Sequence, residues 1–251
     1  MNEDLLGQIN LKNIDKLRKI ADHVEKKFGD KCYWYNYYVR AVDGLRARIF
    51  GLRKHYTRIQ SISSTFPLSY DTIIELDHHL SDIFFNMDSA IECFVFGLNA
   101  IGYGIMDSKT FLSIENDKTL KQIGPDNIFK KTNNVNYQRF FPNLINYWLK
   151  KSDIKGYVTP EKLWNSIRDQ HIVSKHRSRI YHQSMWADGK FDDIHLDKNP
   201  KSPLIDESEV EYDYYPWTLI DHLKEFVPFI NKSCNLIIAD LEDFIKTFGN
   251  H

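Results

Sequence analysis

The stretch "DTIIELDHHLSDIFFNMDSAIECFVFGLNAIG", Asp71 to Gly102, decides the fold class. Ile73, Leu76, Leu80, Ile83, Phe84, Met87, Ile91, Phe94, Val95 and Leu98 recur three and four apart, the spacing of one face of an α-helix. The second half is apolar almost all round, so it reads as the central pillar of a core. Asp71 stands where it can cap the helix by accepting from the free N–H groups of the first turn. The most apolar run, Ser89 to Met106, contains Glu92 and Asn99 and ends among glycines. It reads as a buried helix, not a membrane span.

Working outward, Ile14, Leu17, Ile20, Ala21, Val24 and Phe28 predict an amphipathic helix that stops at Gly29. A second, longer helix is predicted over about 33–62. After the central helix, residues 105–136 are polar and turn-rich and read as loop with short helical pieces. Helical spacing returns over about 137–150. "TPEKLW" then starts a helix at Thr159, with Pro160 in the first turn and Glu161 favoured by the helix dipole. Residues 185–215 form a long polar connection with room for a small hairpin, and a last helix is expected from Pro216 to Phe248. The expected fold is an all-α helical bundle with long central helices. Residues 1–66 are expected to form an N-terminal helical pair or arm and 67–251 the bundle, or the two together one continuous domain.

Composition restricts function. Hydrophobic residues make up 42% of the 251, enough for a core, and the formal charge of −1 excludes a generally polyanion-coating protein. Cys32, Cys93 and Cys234 lie far apart and form no CxxC pair, against a zinc cluster or a disulfide framework. The acidic start "MNEDLLGQINL" lacks the features of a secretory signal, so a cytoplasmic protein without membrane contact is expected.

Basic side chains concentrate in "SKHRSRIYHQ", Ser174 to Gln183. On a regular helix from Thr159 to about Trp186, the side chains of Arg168, His171, Lys175, Ser178, Arg179 and His182 share one polar stripe. Together with His176, this stripe marks candidate nucleic-acid-binding residues, and its histidines can move protons near neutral pH. Arg177 falls among apolar residues on the opposite side and needs an anionic partner, with Asp88 and Glu92 as candidates.

Arg177 and His182, an arginine and a histidine separated by four residues late in a helical chain, resemble the R-x4-H motif of HEPN domains, the higher eukaryotes and prokaryotes nucleotide-binding family. The resemblance covers roughly 71–248 and leaves the first two helices unexplained. It implies a metal-independent endoribonuclease acting in defence, toxin–antitoxin pairs or RNA processing, with its site at a homodimer interface. Some members are non-catalytic. It also implies that Arg177 stabilises the scissile phosphate and that His182 is a general acid or base while the RNA 2′-hydroxyl attacks. Ser178 stands where the family commonly has asparagine. Residues five apart on a regular helix differ by about 140°, so Arg177 and His182 share a site only if the helix ends or bends between them, or across a dimer.

Other groupings are weaker. His78 and His79, with Asp77 and Asp82, face different directions on one helix, so no metal is expected, and no motif implies a cofactor. Basic residues from Arg40 to Arg58, interleaved with Tyr35, Tyr37, Tyr38, Phe50 and Tyr56, form either an RNA-gripping surface or the solvated side of a long helix. The acidic run Asp206 to Asp213 is suited to covering a basic surface. RNA is the expected partner. The alternative is a non-catalytic helical protein that binds a cognate protein, with Arg177 structural.

Overall fold

A computed structural model describes residues 4–28, 32–63, 68–130, 134–151, 158–176, 180–187, 190–197 and 215–248. These residues form an all-α protein. Three long helices come first: α1 (Leu11–Phe28), α2 (Cys32–Ser63) and α3 (Tyr70–Ile101). Four short ones follow: α4 (Asp117–Leu120), α5 (Asp126–Phe129), α6 (Asn134–Phe140) and α7 (Pro142–Trp148). Then come α8 (Pro160–His176), an antiparallel hairpin of β1 (Tyr181–Ala187) and β2 (Lys190–Leu196), and α9 (Leu219–Phe248).

Local chemistry explains the boundaries. At α3 the Ser69 hydroxyl, not Asp71, accepts the Thr72 N–H at 3.2 Å, while Asp71 occupies the first turn. At α9, Thr218 and Asp221 form a reciprocal cap: Thr218 Oγ1 accepts the Asp221 N–H at 3.2 Å, and Asp221 Oδ2 accepts the Thr218 N–H at 3.0 Å. This cap starts the helix at Leu219, three residues after Pro216. The single helix expected over 137–150 is two, because Pro142 begins α7 and cannot continue α6. The helix expected to reach Trp186 is α8, Pro160–His176, and Tyr181–Ala187 form β1 instead of its continuation.

The chain divides into two compact units. One comprises residues 10–47, 89–161 and 229–251 and is held by aromatic packing. Trp148 stacks on Phe129 at 5.5 Å and donates its indole N–H to Ser233 at 2.9 Å. Asp240 accepts the first N–H groups of α7, from Asn143 at 3.1 Å and Leu144 at 3.0 Å. Gly102 lets Phe111 pack against its backbone; a Cβ there would lie 2.5 Å from that ring.

The other unit comprises residues 1–9, 48–88 and 162–228, and carries the polar chemistry. Its core holds Leu76, Leu80, Ile83, Phe84, Ile167 and Leu223, all fully buried. Among them sits a closed chain of hydrogen bonds. His222 Nδ1 faces the Thr218 carbonyl at 2.8 Å, which can only accept, so Nδ1 carries the proton. Nε2 then accepts from the Ser166 hydroxyl at 2.7 Å, and Ser166 Oγ accepts from Tyr215 at 2.8 Å. Ser166 and His222 are spaced like a nucleophile and base, but both are fully buried with Tyr215, and the network fixes the start of α9.

Among the described residues one helical segment, Tyr70–Met106, has the length and apolarity to cross a membrane, and 61% of its apolar window is buried inside the protein. That matches its expected place in the core.

Candidate functional site

The end of α8 at His176 reorganises the basic segment. Arg168, His171 and Lys175 stay together on the helix, three and four residues apart. His182 leaves that face for β1. The shared stripe expected from Arg168 to His182 is therefore two groups, because the helix stops before the hairpin. His176 ends α8; Arg177, Ser178 and Arg179 lie outside the described residues, as does the acidic run at 206–213.

His182 occupies an irregular point of the hairpin. Tyr181 pairs with Leu196 and Gln183 with His195, so His182 is an extra residue on β1, a β-bulge of the kind that re-aims a side chain. Two carboxylates set its position. Asp77 of α3 accepts the backbone N–H groups of Ile180 at 2.7 Å and Tyr181 at 2.8 Å, fixing the chain just ahead of the histidine. Asp197, just past β2, lies 3.0 Å from His182 Nδ1. A carboxylate accepts, so Nδ1 carries the proton and Nε2 is the basic nitrogen of the neutral ring. His182 and Asp197 are 28% and 34% exposed, open enough to meet a solute. Burial pushes the neighbouring His195 below the ordinary histidine value, and a charge on His182 adds to that.

His171 is oriented by a similar device. Its Nδ1 lies 2.7 Å from Asp88 Oδ2, and Trp164 donates its indole N–H to the other carboxylate oxygen at 3.3 Å. Asp88 is buried, which makes the pair a rigid one. Asp88, one of the two expected partners of Arg177, is thus engaged by His171 and Trp164. Phe85 packs its ring at 5.4 Å from His171, Arg48 lies over Phe85 at 4.7 Å, and Arg168 lies over Trp164 at 5.0 Å. Two guanidinium groups on aromatic faces accompany this second histidine.

Three basic residues of α2 are held by partners within the chain. Arg46 pairs with Asp15. Arg53 donates to the carbonyls of Leu6 and Ile9, and Arg58 makes two bonds to Glu75. Tyr38 and Tyr56 are buried.

A third cluster joins α2 and α3. His55 Nδ1 lies 2.9 Å from His79 Nδ1 and 3.4 Å from Asp82 Oδ2. Burial lowers both histidines from their ordinary value, and for His79 the neighbouring His55 adds to this. These three are the residues whose donor atoms converge closely enough to hold a metal ion among the described residues. Asp77, grouped with them in the sequence, serves the β1 backbone instead.

Asp77 and Asp197 as partners of the basic segment were missed, because Asp77 is more than a hundred residues away and Asp197 lies just past the far strand of the hairpin. Asp88 was expected as a partner there, but of Arg177 and not of His171. One signal was present: Asp188-Gly189 between two seven-residue runs is a strong hairpin mark, and it places Asp197 back beside the start of β1. The chain matches no family model, no curated protein and no solved structure.

Proposed function

We propose that this chain is a HEPN-like, cytoplasmic RNA-binding protein that cleaves RNA without a metal, with His182 moving the proton. The carrying observation is the His182–Asp197 pair at 3.0 Å, on a bulge three residues after Arg179 in the sequence. The end of α8 at His176 supports the same reading, because it removes the 140° separation that a continuous helix would impose on Arg177 and His182.

In this reading the RNA 2′-oxygen attacks phosphorus and loses its proton, while the 5′-oxygen leaves and gains one. A 2′,3′-cyclic phosphate results. His182 Nε2 takes or gives one of these protons, and Asp197 holds the ring in the matching tautomer. Arg177 balances the charge that builds on the phosphoryl oxygens. Arg168, His171, Lys175, His176 and Arg179 bind the strand.

The test is cleavage of a mixed-sequence single-stranded RNA in EDTA. Wild-type protein yields cyclic-phosphate ends, and His182→Ala lowers the rate by roughly 10²- to 10⁴-fold with an unchanged circular-dichroism spectrum. The alternative, a non-catalytic interaction protein, draws support from Tyr70 and Ile74, one turn apart on α3 and 74% and 48% exposed. RNA left intact by wild-type protein favours that alternative.

A further inference from the structure

We propose that His55 Nδ1, His79 Nδ1 and Asp82 Oδ2 bind one divalent first-row transition-metal ion of the Zn²⁺ class, tying α2 to α3. A tetrahedral ion with ligand bonds of about 2.0–2.1 Å holds its donor atoms roughly 3.3 Å apart. The two separations from His55 Nδ1, 2.9 Å to His79 Nδ1 and 3.4 Å to Asp82 Oδ2, bracket that value, and each of the three residues offers a ligand atom within 4.8 Å of the other two. Two imidazoles and one carboxylate suit zinc, cobalt or nickel, whereas calcium and magnesium prefer oxygen ligands throughout.

The surroundings resemble the outer shell of a built site. His79 Nε2 lies 3.7 Å from Glu75 Oε1, and Glu75 is itself held by Arg58 at 2.8 Å and 2.6 Å. A carboxylate on the far nitrogen favours a proton there and leaves Nδ1 as the ligating atom. His55, His79 and Asp82 are 18%, 16% and 33% exposed, so an ion can reach them. The competing account is a plain hydrogen bond between two imidazoles, one donating and one accepting. It explains the 2.9 Å contact but gives no role to the Glu75–Arg58 support. Sequence spacing on α3 hides the site because its third ligand comes from α2, 24 residues earlier than His79.

The site shares no residue with the proposed nuclease centre, and its test is independent of RNA cleavage. Untagged protein, stripped with EDTA and exchanged into chelator-free buffer, is titrated with CoCl₂ and with ZnCl₂. Calorimetry and the visible absorption of bound cobalt are the readouts. The expected result is one ion per chain, tetrahedral cobalt absorption and a higher melting temperature. His55→Ala and His79→Ala each weaken binding by more than about 100-fold, Glu75→Gln by about 10- to 100-fold, and His182→Ala leaves it unchanged. Asp82→Asn, nearly isosteric, supplies the folded ligand variant if an alanine variant unfolds, and it too weakens binding. Absence of saturable one-to-one binding, or wild-type affinity in a folded ligand variant, overturns the proposal.

Discussion

Lowering the pH from 7 to 5 destabilises the fold by about 2 kcal/mol through one side chain, His222. Its burial pushes the imidazole from the ordinary 6.5 down to about 4, a shift that the Thr218 carbonyl and Asp221 only partly oppose. The fully buried ring has Nδ1 committed to Thr218 and Nε2 to the Ser166 hydroxyl. A second proton on Nε2 faces the one hydroxyl that must donate to it. Between pH 6.5 and 4 the unfolded chain therefore binds more protons than the folded one, and stability falls as the pH falls through that window. Two binding curves with those midpoints differ by about 2 kcal/mol at pH 5 and about 3 kcal/mol at pH 4. Urea denaturation of wild-type protein and His222→Gln at pH 7 and pH 5 isolates the effect, since other titrations cancel in the difference. The variant loses about 2 kcal/mol less on acidification. Equal pH dependence in the two proteins refutes the assigned tautomer network.

Three further outcomes follow from particular contacts. Asp240→Ala frees two N–H groups at the start of α7 and costs about 1–2 kcal/mol in urea denaturation. Gln170 is fully buried, and neither its Oε1 nor its Nε2 has a hydrogen-bond partner among the described residues. Gln170→Met therefore raises stability by about 1 kcal/mol, read as an upward shift of the denaturation midpoint. Asp197→Asn removes the carboxylate from His182 Nδ1 and lowers RNA cleavage by roughly 10-fold or more while the melting temperature holds, since the pair is partly exposed.

The long helices were legible because each buries one side at a helical period. The segment Asp71–Gly102 predicts α3 to within a residue at each end. The end of α8 was not legible from periodicity, because Ile180, Tyr181 and Met185 continue the helical spacing while also fitting a strand. Asp77 helps decide between them, by accepting two strand N–H groups from more than a hundred residues away. Histidine chemistry was legible only as composition. His171 and His182 were marked as candidates, but their carboxylates come from α3 and from beyond β2. The same holds for His55, whose neighbours on α2 give no hint of His79 and Asp82. Pairings of this kind depend on which helix faces lie together, and that is a property of the packed chain.

The most direct test of the proposed function compares wild-type protein and His182→Ala on single-stranded RNA in EDTA, with the ends of the products identified. Cyclic-phosphate ends from wild-type protein and a rate lowered by at least about 100-fold in the folded variant are the predicted result. Intact RNA with wild-type protein, or equal cleavage by the two proteins, contradicts it.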